Sequence, residues 1–233
     1  MTPERYSRLR RVLDLRQPDL TVITDEVHMG RNLSAIMRTC DAVGVGKVHG
    51  VRPQKGFRTF RGTAMGSQKW VEWALYDRVE EPIQLLQSQG FQVMAAHVSD
   101  KALDFRQVDF TRPTALLLGT EKDGVSTQAL DRVNQHITVP MMGMVESFNV
   151  SVAAAIILSE AQRQRLEAGM YEQPRLPEKT YQRLLFQWGQ PAVTKFCDER
   201  GLAYPAIDEE GEIIEPARWY QSVREAEVRE KFD

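Results

Sequence analysis

Hydrophobic positions along the chain change rhythm repeatedly between about residue 20 and residue 169. Short apolar and β-branched runs at 20–24 (LTVIT), 47–51 (KVHGV), 71–75 (VEWAL), 91–98 (FQVMAAHV), 114–120 (TALLLGT) and 136–140 (HITVP) predict strands. The run at 114–120 is apolar throughout, as expected of a strand covered on both faces. Helical patterns fall between them. Residues 32–43 (NLSAIMRTCDAV) predict a helix with Asn32 at or near its N-cap. Residues 80–90 predict a second, with Pro82 in the first turn and Gly90 at the stop. Residues 126–133 predict a third, opened by a capping Ser126. Residues 149–169 predict the longest, with Val150, Ala154, Ile157 and Ala161 on one face and Gly169 at the end. This alternation predicts an α/β domain with a mainly parallel sheet.

The flanks read differently. Residues 3–18 predict a helix ended by Pro18, with Tyr6, Leu9, Val12, Leu13 and Leu15 as an imperfect apolar stripe among arginines. After YEQPRLPEK come two further helical stretches, 178–187 and 191–200, and an acidic end. The boundaries implied are 1–19, 20–170 and 171–233. No repeat or low-complexity tract interrupts them.

Composition adds little until charge is resolved by position. The chain has 233 residues, 42% of them apolar, and a mean hydropathy of −0.41, ordinary values for a globular protein. No apolar run is long enough to span a bilayer, and the amino-terminal stretch has no apolar core of a secretory signal. The two cysteines, Cys40 and Cys197, form no CxxC or Cys/His pattern, which predicts a reduced, cytoplasmic setting and no structural metal. The net charge of −2 hides a gradient. Residues 1–70 carry 13 Lys and Arg against 6 Asp and Glu, whereas residues 198–233 carry 5 against 11. A basic front on a near-neutral chain fits a locally bound polyanion, and equally a solvated helix face.

Three segments carry candidate chemistry. The first is Asn32-Leu-Ser-Ala-Ile-Met-Arg38-Thr39, whose Asn32 and Arg38 lie six apart and share no helix face by spacing alone. The second is LLLGTEKDG, 116–124, where an apolar strand runs into Gly119, Glu121 and Gly124. Ligands of open α/β sheets bind beyond the carboxyl ends of strands, and glycine permits close backbone approach. The third is PMMGMVESFNVS, 140–151, in which methionines follow a strand and Ser147 and Asn149 precede the long helix. Each segment taken singly also reads as ordinary packing and capping. Neither GxGxxG nor GxxxxGK[ST] occurs, and no serine sits in a GxSxG elbow.

Together and in this order, the three segments resemble the three motifs of the SPOUT RNA methyltransferases, SpoU branch. The resemblance extends to the TrmH type, which methylates the 2′-hydroxyl of guanosine 18 in tRNA. Arg16-Gln-Pro-Asp-Leu20, Asp41-Ala-Val-Gly44, Asp104-Phe-Arg106 and Ala161-Gln-Arg-Gln-Arg165 look like that type. The likeness covers roughly residues 3–190. It implies a SPOUT-type parallel sheet flanked by helices, a C-terminal trefoil knot (an exception to unknotted topology), and helical extensions at both ends. It also implies a homodimer and S-adenosylmethionine held in the knot by Ala96, Gly119, Val139, Met141, Met144 and Phe148. Ala96 and Phe148 depart from the Thr and Leu usual at those positions.

The same resemblance makes Arg38 the central catalytic residue, with Asn32 beside it and Glu121, Ser147 and Asn149 at the floor of the site. The basic segments would hold RNA through Arg8, Arg11 and Arg16, through Arg58 and Arg61, and through Arg163 and Arg165. Residues 1–19 are then an RNA-binding helix, 20–170 the methyltransferase domain, and 171–233 a helical extension with an acidic tail. The three motifs do not separate tRNA from ribosomal RNA. The short basic helix, with no separate RNA-binding domain before the catalytic one, favours tRNA. An inactive RNA-binding protein and a generic nucleotide binder are the other readings. The intact Asn32, Arg38, Glu121, Ser147 and Asn149 argue against the former. The missing glycine-rich fingerprint argues against the latter.

Overall fold

The computed structural model describes residues 1–27, 29–52, 69–120 and 122–229. They fall into two compact units, Leu15–Arg175 and a second unit formed by residues 1–14 with those from Leu176 onward.

In the larger unit, seven strands form one sheet in the order β3-β2-β1-β6-β4-β7-β5, every pairing parallel. The strands are β1 (Leu20–Thr24), β2 (Lys47–Val51), β3 (Glu72–Tyr76), β4 (Gln92–Ala96), β5 (Leu103–Asp104), β6 (Thr114–Leu118) and β7 (Gln135–Thr138). The helices of this unit are α2 (Gly30–Ala42), α3 (Glu80–Ser88), α4 (Thr127–Leu130) and α5 (Val150–Glu167). The period-two alternation of strands explains two separate cores. Val22, Met94, Leu116 and Leu118 pack with Ile36, Met37 and Cys40 of α2 and Ala154, Ile157, Leu158 and Ala161 of α5. On the other face Ile23, Val93, Ala95, Ala115 and Leu117 meet Ile83 and Leu86 of α3 and Ala129 of α4. The central strands β1 and β6 are buried along their whole length, as the unbroken apolar run of β6 predicts. Each fully buried Leu or Ile of these strands contributes roughly 1.5–3 kcal/mol relative to exposure.

In the smaller unit, α1 (Pro3–Asp14) turns Tyr6, Leu9 and Leu13 inward and packs on α6 (Glu178–Gly189), whose Tyr181, Leu184 and Leu185 are buried. The Tyr181 hydroxyl donates to Asp14 Oδ1 at 2.9 Å. The unit continues with α7 (Pro191–Arg200) and α8 (Pro216–Arg229). No helix among the described residues is long and apolar enough to cross a membrane.

Several elements differ from the pattern reading. α1 stops at Asp14 rather than running to Pro18, because Arg16 and Gln17 turn into the larger unit and are buried there. Residues just before a proline also disfavour helix. α2 begins at Gly30 with Met29 as its N-cap, so Asn32 lies within the first turn and caps nothing. β3 is shifted one residue later than expected. The two-residue β5 and the helix α8 lie outside the elements the pattern reading predicts. Residues 53–68, which include Arg58 and Arg61, lie outside the described residues.

Candidate functional site

A cavity of about 500 Å³ opens at the carboxyl ends of β4, β6 and β7, within the size range of small-molecule sites. Three loops wall it. Ala96 ends β4, and His97 and Val98 follow it; Gly119, Thr120, Lys122, Asp123 and Gly124 follow β6; Val139, Met141, Glu146, Ser147 and Phe148 follow β7. Val150, Ala153 and Ile157 of α5 complete the wall.

The β6 loop has a local reason for its shape. Thr120 and Gly124 exchange backbone hydrogen bonds of 2.8 and 3.1 Å, and the Thr120 hydroxyl accepts the Asp123 N–H at 2.9 Å. Gly124 has φ +69°, a conformation that side chains rarely adopt. Gly119 leaves no room for one: a Cβ there would stand 2.1 Å from the carbonyl carbon and oxygen of Gly124. The two glycines therefore bring bare backbone to the cavity wall.

Asn149 caps α5, its Oδ1 accepting the Ser151 N–H at 2.9 Å and the Ser151 hydroxyl at 2.7 Å. Its Nδ2 donates to Oδ1 of Asn32 at 3.2 Å. This bond joins the first and third candidate segments, 117 residues apart in sequence, and α2 packs along α5 behind it. Asn32 is buried, whereas Arg38 stands on the exposed side of α2 and does not line the cavity.

Of the residues expected at a cofactor, Ala96, Gly119, Val139, Met141 and Phe148 line the cavity, as does Ser147. Met144 is not among the lining residues and is fully exposed on the β7–α5 loop. Glu121 lies outside the described residues, as do Arg58 and Arg61.

Two arginines expected to hold RNA are instead buried inside the larger unit. Arg16 is 1% exposed; its guanidinium pairs with Asp41 at 2.6 Å and donates to the carbonyls of Trp70 and Val45 at 2.9 and 3.1 Å. Arg165 is fully buried, pairs with Asp19 at 2.6 Å, and donates to Gln17 Oε1 and to the carbonyls of Phe110, Asp19 and Arg112. Burial alone would raise the Asp19 carboxyl, but hydrogen bonds from Arg175 and Arg165 hold it below the usual range. A cation so enclosed cannot meet a phosphate without unfolding its surroundings. Both residues fix the fold. Arg163 is exposed, but it binds Glu160 and Glu167 on its own helix, which offsets its charge. Arg8 and Arg11 are exposed on α1.

Sequence reasoning passed over His97, which lines the cavity with its ring edge-on to His136, centroids 5.4 Å apart. Burial and the neighbouring His136 lower its pKa, so at neutral pH it presents an uncharged ring. The rule that ligands sit beyond parallel strands would have drawn in His97 with Ala96. The described residues contain no group of three His, Cys, Asp or Glu that could hold a metal ion.

A parallel α/β sheet with a cavity walled by the second and third segments, and joined to the first through the Asn149–Asn32 bond, fits one class: enzymes of the SpoU type. Residues 19–159 match the SpoU rRNA Methylase family, and residues 163–216 match its C-terminal companion (SpoU, rRNA methylase, C-terminal). The chain belongs to the SpoU methylase family. It is 48% identical, over 97% of its own length and 100% of the other, to the Escherichia coli K12 protein named tRNA (guanosine(18)-2′-O)-methyltransferase. It is also similar to the crystal structure of the A. aeolicus TrmH/SpoU tRNA modifying enzyme. That likeness has a TM-score of 0.76 and 43% identity, and covers 82% of this chain and 97% of that one. An AdoMet-bound rRNA methyltransferase from Sinorhizobium meliloti is similar with a TM-score of 0.57 and 29% identity, over 65% of this chain and 59% of the other.

Proposed function

We propose that the protein transfers a methyl group from S-adenosylmethionine to the ribose 2′-hydroxyl of guanosine 18 in the D-loop of tRNA. The observation that carries the reading is the cavity made by the β6 and β7 loops and joined through Asn149 to Asn32. The nucleotide comes from the relatives named for that reaction.

The residues present fit the cofactor. Leu118, Ile137, Val139, Phe148 and Ile157 supply apolar surface for a flat ring, and the backbone bared at Gly119 and Gly124 supplies polar edges. Asp123 and Glu146 offer carboxylates to an ammonium group. Bound there, S-adenosylmethionine supplies an electrophilic sulfonium methyl. The protein's task would then be to align a weakly acidic hydroxyl and stabilise the charge it develops; the new oxygen–methyl bond replaces the sulfur–methyl bond, S-adenosylhomocysteine leaves as a neutral thioether, and the hydroxyl proton passes to solvent water. The part of Arg38 is electrostatic: it holds the adjacent phosphate and the developing alkoxide. Asn149 fixes the orientation of the Asn32 amide, which positions the hydroxyl. Ser147, on the cavity wall, completes the floor.

The trefoil knot and the homodimer belong to this reading. Cavity walls from the loops after β4, β6 and β7, on strands whose spatial order departs from sequence order, support a threaded cofactor site. Exposed apolar residues at the amino ends of α2 and α5, namely Met29, Phe148 and Val152, support a second copy covering them. In such a dimer Arg38 serves the partner's cavity, which accounts for its place outside its own. The exposed Arg8 and Arg11 of α1, with Arg58 and Arg61, hold RNA by phosphate contacts. A cytoplasmic location accompanies a tRNA substrate.

Incubation with methyl-labelled S-adenosylmethionine and either bulk tRNA or ribosomal RNA tests the substrate class. Label in tRNA alone is expected. Label only in ribosomal RNA would replace the substrate, and none in either would favour an inactive RNA-binding protein.

A further inference from the structure

We infer that Asp25 is a positioning residue for the methyl transfer, holding the cofactor loop after β6 against the connection that leads to Asn32 and Arg38. The inference rests on the function proposed above. Asp25 is the first residue beyond β1 and is 3% exposed. Its Oδ2 accepts the backbone N–H of Ser126 at 2.9 Å. Its own N–H donates to Leu118 O at 2.8 Å, which carries the β1–β6 pairing one step past Thr24 and Leu118.

Both ends of this carboxylate bridge lead to the site. On one side, Glu26 follows with φ +53°, a left-handed turn that costs a non-glycine residue roughly 1 kcal/mol. That turn takes the chain out of the sheet toward Gly30, where α2 begins two residues before Asn32. On the other side, Ser126 stands two residues after Gly124, whose paired hydrogen bonds with Thr120 close the cavity loop over Gly119. Ser126 also caps α4, its hydroxyl accepting from Ala129 N. The Asn32–Asn149 bond ties the same connection to the loop after β7. Asp25 supplies the matching tie to the loop after β6, and the two bonds together set the ribose side against both cofactor loops. Without the carboxylate the half-buried Ser126 N–H loses its acceptor and the loop exit loses its anchor. Misplacement of a reacting partner by 1 Å can cost on the order of 100-fold in rate.

The test compares Asp25→Ala and Asp25→Asn in the full chain. It measures steady-state transfer to a tRNA transcript at varied cofactor, calorimetric titration with S-adenosylmethionine alone, and thermal unfolding. Asn keeps an oxygen acceptor of the same reach. The Ala variant is expected to raise KM and Kd for S-adenosylmethionine about tenfold and lower kcat at least tenfold, with KM for tRNA within twofold. The Asn variant is expected to recover all of these to within threefold. If Asp25→Ala does not fold, Asp25→Ser, too short to reach Ser126, takes its place with the same expectation. Cofactor affinity unchanged in the short variants, or an Asn variant as impaired as they are, would overturn the inference. Should the unaltered protein transfer no methyl group, the proposed function fails. The calorimetric comparison then still decides the role of Asp25 in shaping the cofactor loop.

Discussion

Replacing Gly119 by Ala places a methyl group where the cavity wall has no space. Its Cβ would stand 2.1 Å from the carbonyl carbon and oxygen of Gly124 and 2.2 Å from the amide nitrogen of Val125. Carbon contacts are comfortable at roughly 3.5–4.0 Å, so the 124–125 backbone must retreat by more than about 1 Å. Backbone cannot rotate aside as a side chain can, and this stretch is held by the Thr120–Gly124 bonds and by Asp25 at Ser126. Overpacking costs about 1–3 kcal/mol, and each loop hydrogen bond broken adds about 1 kcal/mol. A total near 3–4 kcal/mol corresponds to a fall in Tm of roughly 6–16 °C for a domain of this size. If cofactor binding requires the native loop, about 3 kcal/mol also weakens S-adenosylmethionine roughly 100-fold. Differential scanning calorimetry reads the first quantity and titration calorimetry the second. A Gly119→Ala protein with native Tm and a cofactor Kd within twofold would show that this backbone approach does not shape the site.

Other expectations follow from the same geometry. Arg38→Ala is expected to abolish transfer while leaving S-adenosylmethionine Kd within about twofold, because Arg38 does not line its own cavity; substantial residual turnover would remove it from catalysis. Paired arginine variants separate binding from folding. Arg8→Ala with Arg11→Ala should lower the salt slope of tRNA binding by about 2 with little change in Tm, whereas Arg165→Met should cost about 3–5 kcal/mol of stability and leave that slope alone. Burial and the nearby Lys47 push His49 down to about 4, and its Nδ1 lies 3.0 Å from the Tyr76 hydroxyl. The unfolded chain therefore binds a proton that the folded one refuses, so stability should fall as pH drops from about 6.5 toward 4, by up to about 3 kcal/mol. Urea titrations across that range should show the loss reduced in His49→Gln, and an equal loss there would assign it to other groups.

Much of the architecture was legible because strand and helix periods are written directly in the apolar positions. The covering of β6 on both faces follows from its unbroken apolar run, and the long α5 follows from its stripe. Strand order was not legible from pattern: alternation tells which face a residue takes, not which strand lies beside it, and β6 enters between β1 and β4. The arginines show a different limit. Arg16 and Arg165 were expected to hold RNA, yet both are buried. Arg165 continues the stripe of Ala154, Ile157, Leu158 and Ala161, so the period of α5 already placed it inward. Asn32 likewise shares the buried face of Leu33, Ile36, Met37 and Cys40, which marks it as more than a cap. The Asp25–Ser126 bond joins residues 101 apart and depends on strand order, so no local pattern could reveal it.

The central claim is tested most directly by locating the mark. An unmodified tRNA transcript would be incubated with the protein and S-adenosylmethionine, digested, and each 2′-O-methyl nucleotide placed by mass. A single methyl on the ribose of guanosine 18, lost when that hydroxyl is replaced by hydrogen, is the predicted result. Methylation at another nucleotide, or of a base rather than a ribose, would contradict the account.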